Sequence, residues 1–148
     1  MSDEHVVEYD ENTISVLEAV WGEGFMSPGG TEEVDRVLGN VDLSQARVLD
    51  IGCGIGGAAV HIALTRKPMA ITGVDIEENL VDLSQTLADK NGVSDICSFQ
   101  QVDPGPLPFE SESFDIVFSK DSIIHITDKF GLAENVYELL APGGLFLA

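Results

Sequence analysis

The sequence predicts an α/β domain built on a mainly parallel sheet. From Arg47 onward, short β-branched runs alternate with stretches of helical periodicity, the pattern of strands joined by helical crossovers. Glycine-, asparagine- or proline-containing breakers separate them. The 148 residues, 44% hydrophobic, suit one domain with one core.

Asn12–Trp21 has helical spacing, with Ile14, Leu17 and Trp21 on one side. Gly22–Gly30 is a breaker-rich loop. Thr31 has the chemistry of an N-cap, and Glu32 and Glu33 suit the first turn of a helix reaching Leu38. Arg47–Ile51 then reads as a buried strand, Gly56–Thr65 as a helix and Ala70–Val74 as a strand. Glu78–Lys90 is a helix stopped by Asn91-Gly92. Ile96–Val102 and Phe114–Ser119 are further strands. Asp128–Leu140 is a helix ended by Pro142-Gly143-Gly144, and Leu145–Ala148 begins a last strand. The chain stops inside that apolar run, so a sheet truncated after its fifth strand is expected. Its bare edge allows a homodimer.

Composition narrows function by exclusion. Seven Lys and Arg against 26 Asp and Glu leave a formal charge of −19. Such a surface repels nucleic-acid phosphates and anionic membranes but tolerates amines. No apolar run is long enough to span a bilayer, and the acidic start Met-Ser-Asp-Glu-His has no apolar signal segment, so a cytoplasmic location is expected. Cys53 and Cys97 form no disulfide framework and no metal-ligand spacing, so both read as small buried thiols. His61 falls on the helix after the glycine turn and reads as structural. Phe109 and Phe114 read as core anchors, and Asp115 as structural.

The strongest motif is Asp50-Ile51-Gly52-Cys53-Gly54-Ile55-Gly56-Gly57, leaving a strand and opening a helix. Its glycines permit a tight turn and let a ligand approach bare backbone. Gly52-x-Gly54-x-x-Gly57 also satisfies the dinucleotide fingerprint, so a nicotinamide cofactor is one reading. Asp50 tilts the choice, because a carboxylate repels a pyrophosphate and attracts a cationic sulfonium. Asp75, ending the second strand, suits both ribose hydroxyls; capping the next helix is its alternative. Asp103, after Val102, suits an adenine amino group; a turn before Pro104 is its alternative.

The Asp-x-Gly-x-Gly-x-Gly turn, the acids after strands two and three, and the Leu107-Pro108-Phe109…Ser113-Phe114-Asp115 segment resemble class I S-adenosylmethionine-dependent methyltransferases. The resemblance runs from Val41 to Ala148. It implies a Rossmann-like three-layer α/β/α fold with S-adenosylmethionine bound at the carboxyl ends of the strands and S-adenosylhomocysteine as product. It divides the chain into an N-terminal helical lid, 1–40, and a cofactor domain, 41–148. A narrower resemblance, to phosphoethanolamine N-methyltransferases, covers nearly the whole chain. It rests on Tyr9, the helix to Trp21, the Gly22–Gly30 loop and Phe118–Ile126.

That resemblance implies a Tyr9–His125 dyad over the active site, with Asp121 facing the amine. It puts Ser27, Gly29 and Gly30 on the cofactor, beside Asp50, Gly52, Gly54, Gly56, Asp75, Ile76, Val102, Asp103 and Lys120. An ammonium acceptor must lose a proton before it attacks, and histidine is suited to take it near neutral pH. On residues alone, His125 between two isoleucines also reads as a packed histidine, and Asp121 as a helix cap. No metal is expected. Lys120 and Leu17 stand where the family tends to carry Arg and Tyr, so phosphoethanolamine-like and glycine- or sarcosine-like acceptors both stay open. So does a non-catalytic cofactor-binding module that needs a partner or a further C-terminal region.

Overall fold

The computed structural model describes residues 9–148. Five strands form one sheet in the order β3-β2-β1-β4-β5, every neighbouring pair parallel. They are β1 (Arg47–Ile51), β2 (Ala70–Asp75), β3 (Cys97–Gln101), β4 (Phe114–Phe118) and β5 (Leu140–Leu147). The helices are α1 (Glu11–Trp21), α2 (Gly30–Leu38), α3 (Gly57–Arg66), α4 (Glu78–Lys90) and α5 (Lys129–Leu139). A short 3-10 turn, Ile123–His125, follows β4.

Strand periodicity sorts the core into two layers, because successive side chains leave opposite faces of the sheet. Val48, Ile116 and Phe118 pack with Val34 and Leu38 of α2, Ala59, Ile62 and Ala63 of α3, and Leu87 and Ala88 of α4. Leu49, Ile51 and Val117 pack on the other face with Val136 and Leu139 of α5. The expected three-layer, Rossmann-like arrangement is therefore present. β1 is central and buried on both faces, which is why Val48, Leu49 and Ile51 are all apolar and Asp50 stands out.

Three expectations need correction and one needs refinement. Thr31 does not cap α2: the helix starts at Gly30, and the cap is Gly29 in the left-handed region at φ 96°. A glycine pair turns the chain sharply there and pre-empts the threonine. Trp21 lies on the Ile14 side of α1 but at its last residue, so it is 37% exposed while Ile14 is buried. The last strand begins at Leu140, directly after α5, because pairing with β4 carries the backbone through Pro142-Gly143-Gly144. A register irregularity opposite Phe114 and Ile116 absorbs those residues. Finally, Asp128 is the cap of α5 and not its first residue, accepting Gly131 N–H at 2.8 Å.

The residues expected to be structural behave so. Cys53 and Cys97 are buried thiols. Burial and then the Asp50 and Asp75 charges push Cys53 far up, and burial pushes Cys97 up to about 11. Neither is a ready nucleophile. His61 Nε2 lies 3.0 Å from Asp35. Asp115 accepts both the backbone N–H and the guanidinium of Arg47, and Phe109 meets Phe114 edge-to-face at 5.2 Å. Among the described residues no helix is long and apolar enough to cross a membrane, and no cluster of His, Cys, Asp and Glu has metal-binding geometry.

Candidate active site

Because all five strands are parallel, their carboxyl ends share one edge of the sheet. Chain order runs outward in opposite directions from β1 and β4, so the switch point lies between those two strands. The turn after β1 and the loop after β4 flank it.

The glycine turn is held by backbone bonds and by two side chains. Gly52 N–H and Cys53 N–H both donate to Val74 O of β2, and Gly54 N–H donates to Asp75 Oδ2 at 3.0 Å. Gly56 N–H donates to Cys53 O, and Gly57 N–H to Gly24 O in the loop after α1. Ser84 of α4 donates to Gly54 O at 2.7 Å. Glycine is required where these pieces meet. A Cβ on Gly57 would lie 2.2 Å from Gly24 O, and one on Gly52, whose φ is 72°, would lie 2.1 Å from Ser122 Oγ.

Asp50 lies beneath this turn, 2% exposed, and among the described residues its Oδ2 is buried with no hydrogen-bond partner. Burial, then the nearby Asp75 charge, pushes its carboxyl up to about 7. A buried, unpaired carboxylate oxygen calls for a cation or a donor. A pyrophosphate has the opposite requirement, free N–H groups at a helix N-terminus. Here the Gly56 and Gly57 N–H groups are already taken, by the Cys53 and Gly24 carbonyls.

Asp75 is not the cap of α4. That position is Glu77, whose side chain makes no capping bond, while Asp75 Oδ1 accepts Glu77 N–H at 3.1 Å. Next to it, Ile76 is 52% exposed, an apolar surface at the strand ends. Gln101, which the sequence did not single out, donates to both Ile76 O and Val102 O and ties the two expected adenine neighbours together. Val102 is buried and Asp103 beside it is exposed.

The loop after β4 is organised by side chains. Ser119 Oγ donates to Ile51 O, and Ser122 Oγ to Gly52 O at 3.1 Å, so the loop leans on the glycine turn. Lys120 reaches back to Ser27 and Pro28. Asp121 holds a left-handed φ of 60° and does not cap the 3-10 turn, whose cap is Ser122. Partial burial raises the Asp121 carboxyl, but hydrogen bonds from Lys120 and Ser27 outweigh it, leaving it below the usual range. His125 is exposed, as is Ile124, so the packed-histidine reading does not hold. Tyr9 rests on the cluster of Ile14, Ile55 and Leu80, and its carbonyl accepts from Asn79 at 3.3 Å. Tyr9 and His125 thus stand on separate elements, at the chain's start and after β4. His5 lies outside the described residues.

A family model described as "Methyltransferase domain" matches residues 42–148. The chain belongs to that methyltransferase family. Its sheet is that of the class I S-adenosylmethionine-dependent enzymes. It is 35% identical over 144 residues to phosphoethanolamine N-methyltransferase 1 of Triticum aestivum, covering 95% of this chain and 28% of that protein. Erythromycin 3''-O-methyltransferase of Saccharopolyspora erythraea is 34% identical over 131 residues, 82% of this chain and 42% of that protein. Haemonchus contortus phosphoethanolamine N-methyltransferase 2, solved with phosphomonomethylethanolamine and S-adenosylhomocysteine, superposes with a TM-score of 0.85 at 33% identity. That match covers 95% of this methyltransferase chain and 33% of the other. The chain thus spans well under half the length of these relatives.

Proposed function

We propose that the chain seats S-adenosylmethionine across the glycine turn and directs its methyl group to the nitrogen of a small amine. One observation carries the cofactor half: the buried, unpaired Asp50 oxygen under a turn whose N–H groups face inward. When bound, S-adenosylmethionine supplies a methyl group on a cationic sulfur. The chain's own residues do the rest. Asp75 accepts from the ribose hydroxyls, while Ile76, Val102 and Asp103 bound the adenine. Gly52, Gly54 and Gly56 give close approach, and Ser27, Gly29 and Gly30 close the N-terminal side. Positioning and exclusion of water account for much of the rate. In this reading the segment up to residue 40 is a lid over 41–148.

The amine half rests on the phosphoethanolamine N-methyltransferase relatives and on the ionised Asp121 near the switch point. Asp121 holds the ammonium by a charge-assisted hydrogen bond. His125 takes the proton that the nitrogen must lose, and Tyr9 orients His125 as the lid closes. The O-methyltransferase relative favours a second acceptor class, a hydroxyl, for which the same base would serve. We place the protein in the cytoplasm. We also propose pairing of two chains through the edge strand β5, which exposes Leu145 and Phe146; a monomer in sizing chromatography would count against that pairing.

Calorimetry tests the cofactor half: S-adenosylmethionine binds the chain and binding weakens strongly in Asp75→Ala. A folded chain that binds none overturns it. Radiolabelled methyl transfer to phosphoethanolamine, glycine, sarcosine and a hydroxyl acceptor tests the other half. Binding without turnover on any of them identifies a cofactor-binding module instead.

A further inference from the structure

Lys120 is 6% exposed at its side chain, an unusual place for an ammonium on a chain of charge −19. It does not point into solvent or across the switch point. Its Nζ lies 2.7 Å from Ser27 Oγ, 2.9 Å from Pro28 O and 3.0 Å from Asp121 Oδ2. It also stands 5.9 Å from the ring centroid of Phe25, itself buried beside Gly57 at the start of α3. An ammonium has three protons, and three protein acceptors lie within hydrogen-bond distance of it.

We infer that Lys120 is a positioning residue that latches the Ser27–Gly30 segment to Asp121, so that the cofactor side and the acceptor side of the site are set together. This replaces the expectation that Lys120 touches the cofactor itself. Its consequence for methyl transfer rests on the function proposed above, but the latch is a property of the chain alone. Ser27 and Pro28 lie more than ninety residues before Lys120, so this one ammonium joins the N-terminal loop to the end of β4. It also holds the Asp121 carboxyl, on a left-handed backbone conformation, below its usual range. The groups facing Asp121 are Lys120 from its own loop and the Ser27 hydroxyl from the N-terminal loop.

The test uses Lys120→Met, which keeps the length and removes the charge, with Lys120→Arg and Ser27→Ala beside it. In Lys120→Met, carbon-detected titration shows the Asp121 carboxyl moving up, since burial remains while the Lys120 bond and charge that oppose it are gone and only the Ser27 bond is left. Hydrogen exchange of backbone amides 25–30 rises at least tenfold, and S-adenosylmethionine binds about tenfold more weakly. Lys120→Arg recovers the Asp121 shift in part, because it keeps the charge but not the three-way divergence. Ser27→Ala, the milder cut should Lys120→Met not fold, shifts Asp121 and the loop amides in the same direction by less. Weaker cofactor binding in Lys120→Met with Asp121 and the loop amides unchanged would make Lys120 a direct cofactor contact and overturn the latch. So would no change in any readout. If the unaltered chain binds no S-adenosylmethionine, the proposed function fails while the titration and exchange results still decide the latch.

Discussion

The ends of β1 and β4 face the same switch point but are held by different means. After β1, backbone meets backbone: glycine N–H groups bond to Val74 and Gly24 carbonyls, and a carboxylate is sealed beneath them. After β4, side chains meet backbone: Ser119, Lys120 and Ser122 hold a loop whose Asp121 and His125 remain exposed. The first arrangement leaves no room for variation at Gly57, where an added atom collides with the Gly24 carbonyl. The second can change His125 without disturbing the Ser119 and Ser122 anchors. A shared cofactor and a variable acceptor call for that division, and relatives named for nitrogen and for oxygen acceptors fit it.

The contrast makes its largest prediction at Gly57. Gly57→Ala drives a methyl into the Gly24 carbonyl, and neither backbone can yield without unseating α3 or the loop after α1. Denaturant titration should show a loss of about 3 kcal/mol, or no folded state. A loss under about 1 kcal/mol would break the claim that this end tolerates no variation.

The next effect belongs to Asp50. Its pKa in the folded chain is raised to about 7, against 3.8 as the ordinary value, by burial and then by Asp75. The unfolded chain gives up that proton first. Stability is therefore highest below about pH 4 on this group's account and falls as pH rises towards 7, by an amount on the order of a few kcal/mol. A cation beside the carboxylate favours the ionised form, so S-adenosylmethionine should bind more tightly across the same window as pH rises. Asp50→Asn should flatten both trends. A stability profile unchanged between the two proteins would mean that Asp50 is not the titrating group.

How much of this was visible in the sequence follows the same division. β1 and α4 could be bounded to the residue, because a doubly buried strand carries apolar residues on both faces and an Asn-Gly stop is local chemistry. The glycine turn and its three acids were legible for the same reason. The start of α2 was not, because Thr31 offers a good cap but the left-handed Gly29 and Gly30 decide where the helix begins. The start of β5 was missed because pairing with β4 overrides the local Pro-Gly-Gly signal. Lys120 was singled out as a cofactor contact, but its partners Ser27 and Phe25 were not legible, and Gln101 gave no signal, since their partners lie far away in sequence or are plain carbonyls.

Smaller effects belong to the β4 side. Ser122→Ala removes one hydroxyl bond to Gly52 O and should cost about 1 kcal/mol in denaturant titration. A cost as large as that of Gly57→Ala would mean that the two ends are one rigid unit.

His125→Ala sharpens the contrast most cleanly because its two readouts should separate. The side chain is exposed in a 3-10 turn, so stability should change by less than about 0.5 kcal/mol. Turnover with an amine acceptor should fall at least about a hundredfold, the range for losing a positioned base, while S-adenosylmethionine affinity stays the same. Raising the pH should recover part of that rate, because a larger share of the amine then arrives without its proton. Full turnover at neutral pH would remove His125 from the chemistry and leave the exposed loop as acceptor-binding surface alone.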